Sequence, residues 1–253
     1  MKAVNEQEVE ARVERLLTGQ PAAPPEARRV RRAFPVVERH QVSARHLGLT
    51  IEVDEEYAES LLRPGQYVTL KVSGWPPRFF VVASQQGRRW EFLVDQRGEL
   101  GAALSHFEVG KTICMSLPEG GGFEPTQARG RTAAMFCTGS GVATMRPLIE
   151  CWLAHPEWRP DKMVLYYGEM ELDAFAYGAL LEAWAKQGVE VHLAVEDGSG
   201  EGGHRYVQEA FDAAPLPAKD CVVYLSGAPV MIQKVADKML RLGVSPSRVR
   251  TNI

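Results

Sequence analysis

The segment C-T-G-S-G-V-A-T-M-R-P-L-I, residues 137–149, constrains this chain more than any other, because an apolar run over 132–137 passes through a glycine turn straight into helical spacing from about 143 to 153. Glycines at the junction of a strand and a helix let a ligand approach the unpaired amides of the helix N-terminus. That end carries roughly half a positive charge, which suits a phosphate. The bland alternative is a tight structural turn, and a lone G-x-G does not separate the two.

The surrounding rhythm adds the context. After residue 128, apolar runs at 163–167, 189–195 and 221–225 alternate with helical patterns at 173–187, 205–213 and 229–242, which predicts a doubly wound parallel sheet. Before it, short β-like runs at 34–37, 46–53, 67–72, 78–83, 90–94 and 112–117 are separated by turn residues at short intervals, the pattern of a small antiparallel barrel or sandwich. Val9, Val13, Leu16 and Leu17 lie at helical spacing ahead of Gly19, Pro21, Pro24 and Pro25. A short amphipathic helix and linker are expected there. Such a helix is marginal alone, so it packs on its own body, docks on a partner, or frays. The reading divides the chain into 1–30, 31–127 and 128–253.

Composition excludes several classes. With 253 residues, 45% of them hydrophobic, two cores can be built, and a net charge of −3 argues against nucleic acid as the main partner. The cluster Arg28, Arg29, Arg31 and Arg32 reads as a solvated linker face, with a docking patch as the lesser reading. Cys114, Cys137, Cys151 and Cys221 lie too far apart for a C-x-x-C site, so neither disulfide scaffold nor metal centre is expected. The N-terminal sequence lacks the apolar stretch of a secretion signal, and no run approaches the roughly 18 apolar residues of a membrane span. A cytoplasmic location is the expectation.

A barrel followed by a nucleotide-binding α/β half gives the resemblance. The segments R-P-G-Q-Y-V (63–68), P-R-F-F-V-V-A-S (77–84), G-E-L-G-A-A-L (98–104), P-E-G-G-G-F (118–123), the Gly139/Gly141 turn, Y-Y-G (166–168) and L-S-G-A-P (225–229) occur in the order found in the ferredoxin–NADP reductase superfamily. Together they span residues 31–253. Within it, T-G-S-G-V-A-T-M-R-P-L-I-E with Y-Y-G-E-M-E-L and Y-V-Q-E-A-F is similar to a plant and bacterial branch of oxidoreductase-like "fruit proteins". The resemblance implies FAD on the barrel, NADH or NADPH on the second domain, and hydride transfer between them.

Residue by residue, the resemblance implies that Arg78 binds the flavin pyrophosphate, Phe80 stacks on the isoalloxazine and Val81 stands where a serine usually bonds N5, with Phe79 between them. A plain barrel strand needing only alternate apolar residues explains the same run. Gly98, Gly101 and Ala102 fall where the superfamily turns around the pyrophosphate. Gly101 replaces a hydroxyl residue, so one hydrogen bond of about 1 kcal/mol is expected to be missing. The turn at 118–123 is expected to close the barrel beside the flavin, or to be an ordinary hairpin.

For the second nucleotide, the resemblance points to Thr138, Gly139, Ser140, Gly141 and Gly168 around the pyrophosphate, with Thr144 where a proline is common. Glu196 and Asp197 replace a serine–arginine pair that reads the NADPH 2′-phosphate, so NADH is favoured, and Glu169 and Glu171 reinforce that lean. Arg205 and Tyr206 argue the other way, and solvent-facing acidic loops are the structural alternative. Ser226, Gly227 and Pro229 fall at the nicotinamide, Ser226 replacing a frequent cysteine. Phe80, Val81 and Ser226 are therefore the candidate catalytic positions. His106, His192 and His204 are expected to be structural or exposed.

Where many relatives end in an aromatic residue or continue into an iron–sulfur domain, this sequence reads Arg250-Thr251-Asn252-Ile253. A separate acceptor is expected: a ferredoxin, a haem protein, a quinone or a partner subunit. The competing reading is a non-catalytic or regulatory partner protein that keeps the fold, suggested by Phe80, Val81 and Gly101.

Overall fold

The computed structural model describes residues 31–252; the helix and linker expected over 1–30 lie outside them. The first half is one seven-stranded antiparallel sheet built from β1 (Arg31–Gln41), β2 (His46–Glu52), β3 (Tyr67–Lys71), β4 (Arg78–Val81), β5 (Ser84–Gln86), β6 (Arg89–Asp95) and β7 (Thr112–Ser116). Its order is β4-β3-β7-β1-β2-β6-β5, so the edge strands are successive segments of the chain. Where the sequence suggested one strand over 78–83, the chain crosses a seam: Val82 N donates to Gln66 O and Ala83 N to Glu91 O. That crossing curls the sheet into a barrel, and Phe80 meets Phe92 edge to face across it at 6.5 Å.

The barrel's apolar strand faces converge on Val36, Leu49, Ile51, Val68, Phe92 and Ile113. A helix the sequence reading missed, α1 (Glu55–Ser60), plugs one end. Asp54 caps it by accepting from Tyr57 N, and buried Tyr57 donates to Met115 O at 3.1 Å while meeting Phe34 edge to face. Six residues are too few for a visible 3.6-residue period, so only the cap and Tyr57 mark it. The second helix, α2 (Gly98–Ser105), follows β6.

The second half is a five-stranded parallel sheet of β8 (Thr132–Thr138), β9 (Lys162–Glu169), β10 (Val189–Val195), β11 (Cys221–Ser226) and β12 (Val249–Thr251), in the order β10-β9-β8-β11-β12. Its near-continuous apolar strands are buried on both faces, as helices on both sides require. On one face α3 (Val142–Ala154) and α4 (Gly178–Lys186) cover Met135, Leu165 and Val189; on the other, α5 (Val207–Ala213) and α6 (Pro229–Arg241) cover Phe136, Tyr166 and Leu225. The helix expected over 173–187 begins only at Gly178, because Tyr177 takes a left-handed conformation at φ 63°. That conformation costs about 1–2 kcal/mol. It is held by a hydrogen bond of 3.0 Å from the Tyr177 hydroxyl to Glu91 of the barrel, and by Arg146 stacked 4.6 Å from the ring.

Arg146 also pairs with Glu91 at 2.9 Å, and the core on the α3 side takes in Ala83 and Leu93 from the barrel. Barrel and parallel sheet therefore meet through packed apolar atoms and buried ion pairs. No helix among the described residues is long and apolar enough to cross a membrane.

Candidate functional site

In this strand order β8 stands between β9 and β11, and the chain leaves it in one direction first and the other afterwards. A crevice opens at the carboxyl ends of strands where order reverses. The crevice is present as a cleft of about 800 Å³ between that edge and the barrel. From the barrel come Arg78, Phe79, Phe80, Val81 and Gly101; from the parallel sheet come Thr138, Gly139, Ser140 and Gly141 after β8, Gly168 from β9, Ser226 and Gly227 from β11, and Glu196 and Tyr206 beyond β10. Gly98 lines an adjoining groove of about 530 Å³ that shares Arg78, Arg97 and Gly101 with the cleft and adds Trp75. Four residues of the sequence reading stand outside both: exposed Ala102 on α2, exposed Glu171, Asp197, and Pro229 at the first turn of α6.

Close approach explains the glycines. A Cβ on Gly141 would lie 2.5 Å from Ser226 O, and one on Gly227, at φ 131°, would lie 2.3 Å from Thr138 Oγ1. The two loops are interlocked. Thr138 Oγ1 accepts from Ala228 N at 2.9 Å, so its hydroxyl stitches the loops while keeping its own O–H as a donor. The start of α3 carries no side-chain cap; the Val142 amide bonds back to Gly139 O and Ser140 O, and Gly139 and Ser140 themselves line the cleft.

On the barrel side the guanidinium of Arg78 is exposed, and among the described residues it meets only its neighbour's carbonyl, Pro77 O at 3.3 Å. Gly101 departs from the sequence reading in meaning. A Cβ there would lie 2.0 Å from Asp95 O, so the hydroxyl residue of the superfamily does not fit and the loop 95–97 occupies its place. Gly101→Ser is accordingly expected to destabilise the fold by about 1–3 kcal/mol rather than to strengthen flavin binding. A urea unfolding midpoint no lower than that of the parent protein would contradict it.

The floor holds a charge cluster that the sequence reading missed. Arg45, in the turn between β1 and β2, donates to both oxygens of Asp95 on β6 and to Glu169 Oε2 on β9 at 2.7 Å. It lies beside the glycine turn: a Cβ on Gly139 would stand 3.3 Å from Arg45 Nη2. Glu169 is shut off from solvent, and Tyr167 donates to its Oε1 at 2.9 Å. Burial outweighs these partners and lifts its carboxyl above the usual range. Glu169 therefore faces Arg45 and is not an acidic loop residue able to repel a phosphate, and exposed Glu171 lies off the cleft. Nearby His46 is wholly buried, held low by desolvation and hydrogen-bonded through Nδ1 to Ala174 O at 3.0 Å, a structural role. The only forewarning was an arginine alone in a turn between two strands.

At the far end, one of the two predicted carboxylates faces the cleft. Asp197 Oδ1 accepts from Ser199 N at 2.8 Å and leaves the wall to Glu196. Opposite are Arg205, whose Nε donates to Glu196 O at 2.7 Å, and Lys234 of α6, with the Tyr206 ring 5.9 and 6.0 Å from the two cations. Lys234 carried no motif in the sequence; its place follows from α6 running beside the α5 entrance.

Residues 135–237 match the family model of the oxidoreductase NAD-binding domain. The chain is 27% identical over 176 residues to a probable dihydroorotate dehydrogenase B (NAD(+)) electron transfer subunit of Methanopyrus kandleri, covering 69% of this chain and 62% of that protein. It is 24% identical over 211 residues to the sulfhydrogenase 1 gamma subunit of Pyrococcus furiosus, covering 78% and 70%. Among solved structures, the flavohem-like FAD/NAD-binding domain of nitric oxide dioxygenase from Vibrio cholerae superposes with a TM-score of 0.74 at 20% identity, covering 88% of this chain and 98% of that domain. Residues 135–237 thus match an oxidoreductase NAD-binding domain, in a chain whose fold is the ferredoxin–NADP reductase-like fold of the solved structures it resembles.

Proposed function

We propose that this chain is a flavin-dependent NAD(P)H oxidoreductase that passes electrons to a separate acceptor. The observation that carries the proposal is the single cleft joining the unpaired Arg78 and the face of Phe80 to the glycine turn 139–141 and Ser226. These residues fit a flavin dinucleotide: an exposed cation for the pyrophosphate, an aromatic face for the ring, and an adjoining groove with Trp75 for the adenosine half. When bound, the flavin takes hydride from the nicotinamide and releases electrons singly or in pairs. The protein's own part is proximity and orientation. Barrel and parallel sheet would bring the two rings together in the one cleft they both line, with the loops after β8 and β11 forming its wall.

In this reading 31–127 is the FAD-binding unit and 128–253 the NAD(P)-binding unit. The names "electron transfer subunit" and "subunit gamma" of the two curated relatives support a role as a donor to a partner subunit, with a ferredoxin, a haem protein or a quinone as the other acceptors. The kinship with the "fruit protein" branch is part of the same proposal and rests on its three sequence motifs.

An absorbance spectrum of the purified protein with added FAD, before and after anaerobic NADH, is the test. Flavin bands that bleach with NADH are expected. Protein that binds no flavin would defeat the proposal and favour the non-catalytic partner reading.

NADH is the favoured donor, with Glu196 as the discriminating residue. Its carboxylate accepts from a ribose 2′-hydroxyl and opposes a 2′-phosphate, while Arg205 and Lys234 stand ready once it is removed. Glu196→Ser is expected to raise the NADPH-to-NADH ratio of kcat/KM by about tenfold, or roughly 1.4 kcal/mol. Asp197→Ser should leave the ratio unchanged. Equal ratios in all three proteins would remove Glu196 from that role.

A further inference from the structure

Thr144 and Ser226 both depart from the residues common at their positions, and the structure joins them. Thr144 is the third residue of α3 and Ser226 the last of β11; both line the cleft and are 1% and 7% exposed. Their oxygens, Oγ1 and Oγ, are 2.9 Å apart. Among the described residues neither hydroxyl has another hydrogen bond. A helical threonine ordinarily falls back on a carbonyl of its own helix, three or four residues earlier. Thr144 instead reaches across to the neighbouring strand end.

The same helix start also fixes the backbone of that strand end, since Gly141 leaves only enough room for Ser226 O. A serine hydroxyl has one proton and two lone pairs, and turns about its Cβ–Oγ bond. Held on one side by Thr144, the Ser226 hydroxyl loses its free rotation, and the oxygen's remaining positions lie in the wall of the cleft. A pair serving packing alone would be better replaced by methyl groups, because a buried hydroxyl gains little beyond what its desolvation costs.

We propose that Thr144 is a positioning residue for hydride transfer: its hydroxyl orients Ser226 Oγ toward the bound nicotinamide. This rests on the flavin reductase reading above. The geometry makes the two hydroxyls one unit, so removing either oxygen has the consequence of removing both.

The test is anaerobic stopped-flow reduction of the flavin-loaded protein by NADH, with Thr144→Val, Thr144→Ser, Ser226→Ala and the double variant Thr144→Val/Ser226→Ala. Valine matches threonine in shape, and serine keeps the hydroxyl, so folding is preserved in at least one of the pair; thermal melts check it. Thr144→Val is expected to slow the limiting reduction rate about tenfold while changing the NADH dissociation constant less than about twofold, the signature of a contact used after binding. Thr144→Ser should return the rate to within about twofold of the parent, and the double variant should be no slower than Ser226→Ala alone. Independent effects that multiply in the double variant, a serine variant as slow as the valine one, or an unchanged rate would each overturn the inference. A parent protein whose bound flavin NADH never reduces would overturn it together with the reductase reading; a reducible parent with an insensitive Thr144 overturns this inference alone.

Discussion

Arg45→Met is expected to lower stability by about 3–5 kcal/mol at neutral pH, measured by urea unfolding, the largest cost of any single change considered for the fold. The side chain touches no ligand in this prediction. Its guanidinium bonds carboxylates on both sides of the cleft floor, Asp95 from the barrel and Glu169 from the parallel sheet. Methionine keeps most of the stem's packing and deletes the charge. Asp95, which is partly exposed, can be rehydrated and retains Arg97 at 3.3 Å; Glu169 cannot.

The pH dependence separates this cause from lost packing. The Glu169 carboxyl already sits above its usual 4.5 in the folded protein, because desolvation exceeds the pull of Arg45. A carboxyl raised in the folded state binds more protons there than when unfolded, so its contribution is full below 4.5 and is lost as pH rises through the folded value. Removing Arg45 raises that value further. The variant should therefore lie nearest the parent in acid and fall away towards neutrality, and Arg45→Met/Glu169→Gln should regain most of the loss. A deficit independent of pH, or a double variant no better than the single one, would show that the floor is held by packing.

Much of the architecture was readable because each signal was local. Short β-like runs between turn residues gave the barrel strands, buried apolar runs gave the parallel sheet, and the glycines at 139 and 141 marked the strand-to-helix turn that lines the cleft. What escaped depended on partners distant in the chain. Arg45, Asp95 and Glu169 come from three segments and share no spacing, so no periodic pattern could join them. Tyr177 breaks α4 through a bond to Glu91, 86 positions away, and propensity alone placed the helix start too early. Gly101 was legible as a missing hydroxyl, whereas the carbonyl of Asp95 that forbids one was not. Asp197 differs again: a loop residue with a free carboxylate in sequence becomes, in three dimensions, the cap of its own turn.

Arg78→Ala is expected to weaken flavin affinity about 10- to 100-fold, read by titrating FAD against the apoprotein. The reasoning turns on which cleft arginine is uncommitted. Arg97 stands as close to the adjoining groove, but its guanidinium is already shared with Asp95. Arg45 is consumed by two carboxylates. Arg78 has no carboxylate partner among the described residues, so its charge and the guanidinium donors not turned to Pro77 O remain for a phosphate, and one or two charge-assisted hydrogen bonds are worth about 1.5–3 kcal/mol each, less where water competes. Arg78→Lys should fall between parent and alanine, because a point charge survives and the fork does not. Arg97→Ala should cost less than Arg78→Ala, since it removes an arginine whose charge Asp95 already offsets. Reversal of that order would move the pyrophosphate from the mouth of the cleft to the Arg97 side of the groove; equal affinity in Arg78→Ala and the parent would take Arg78 out of the flavin site.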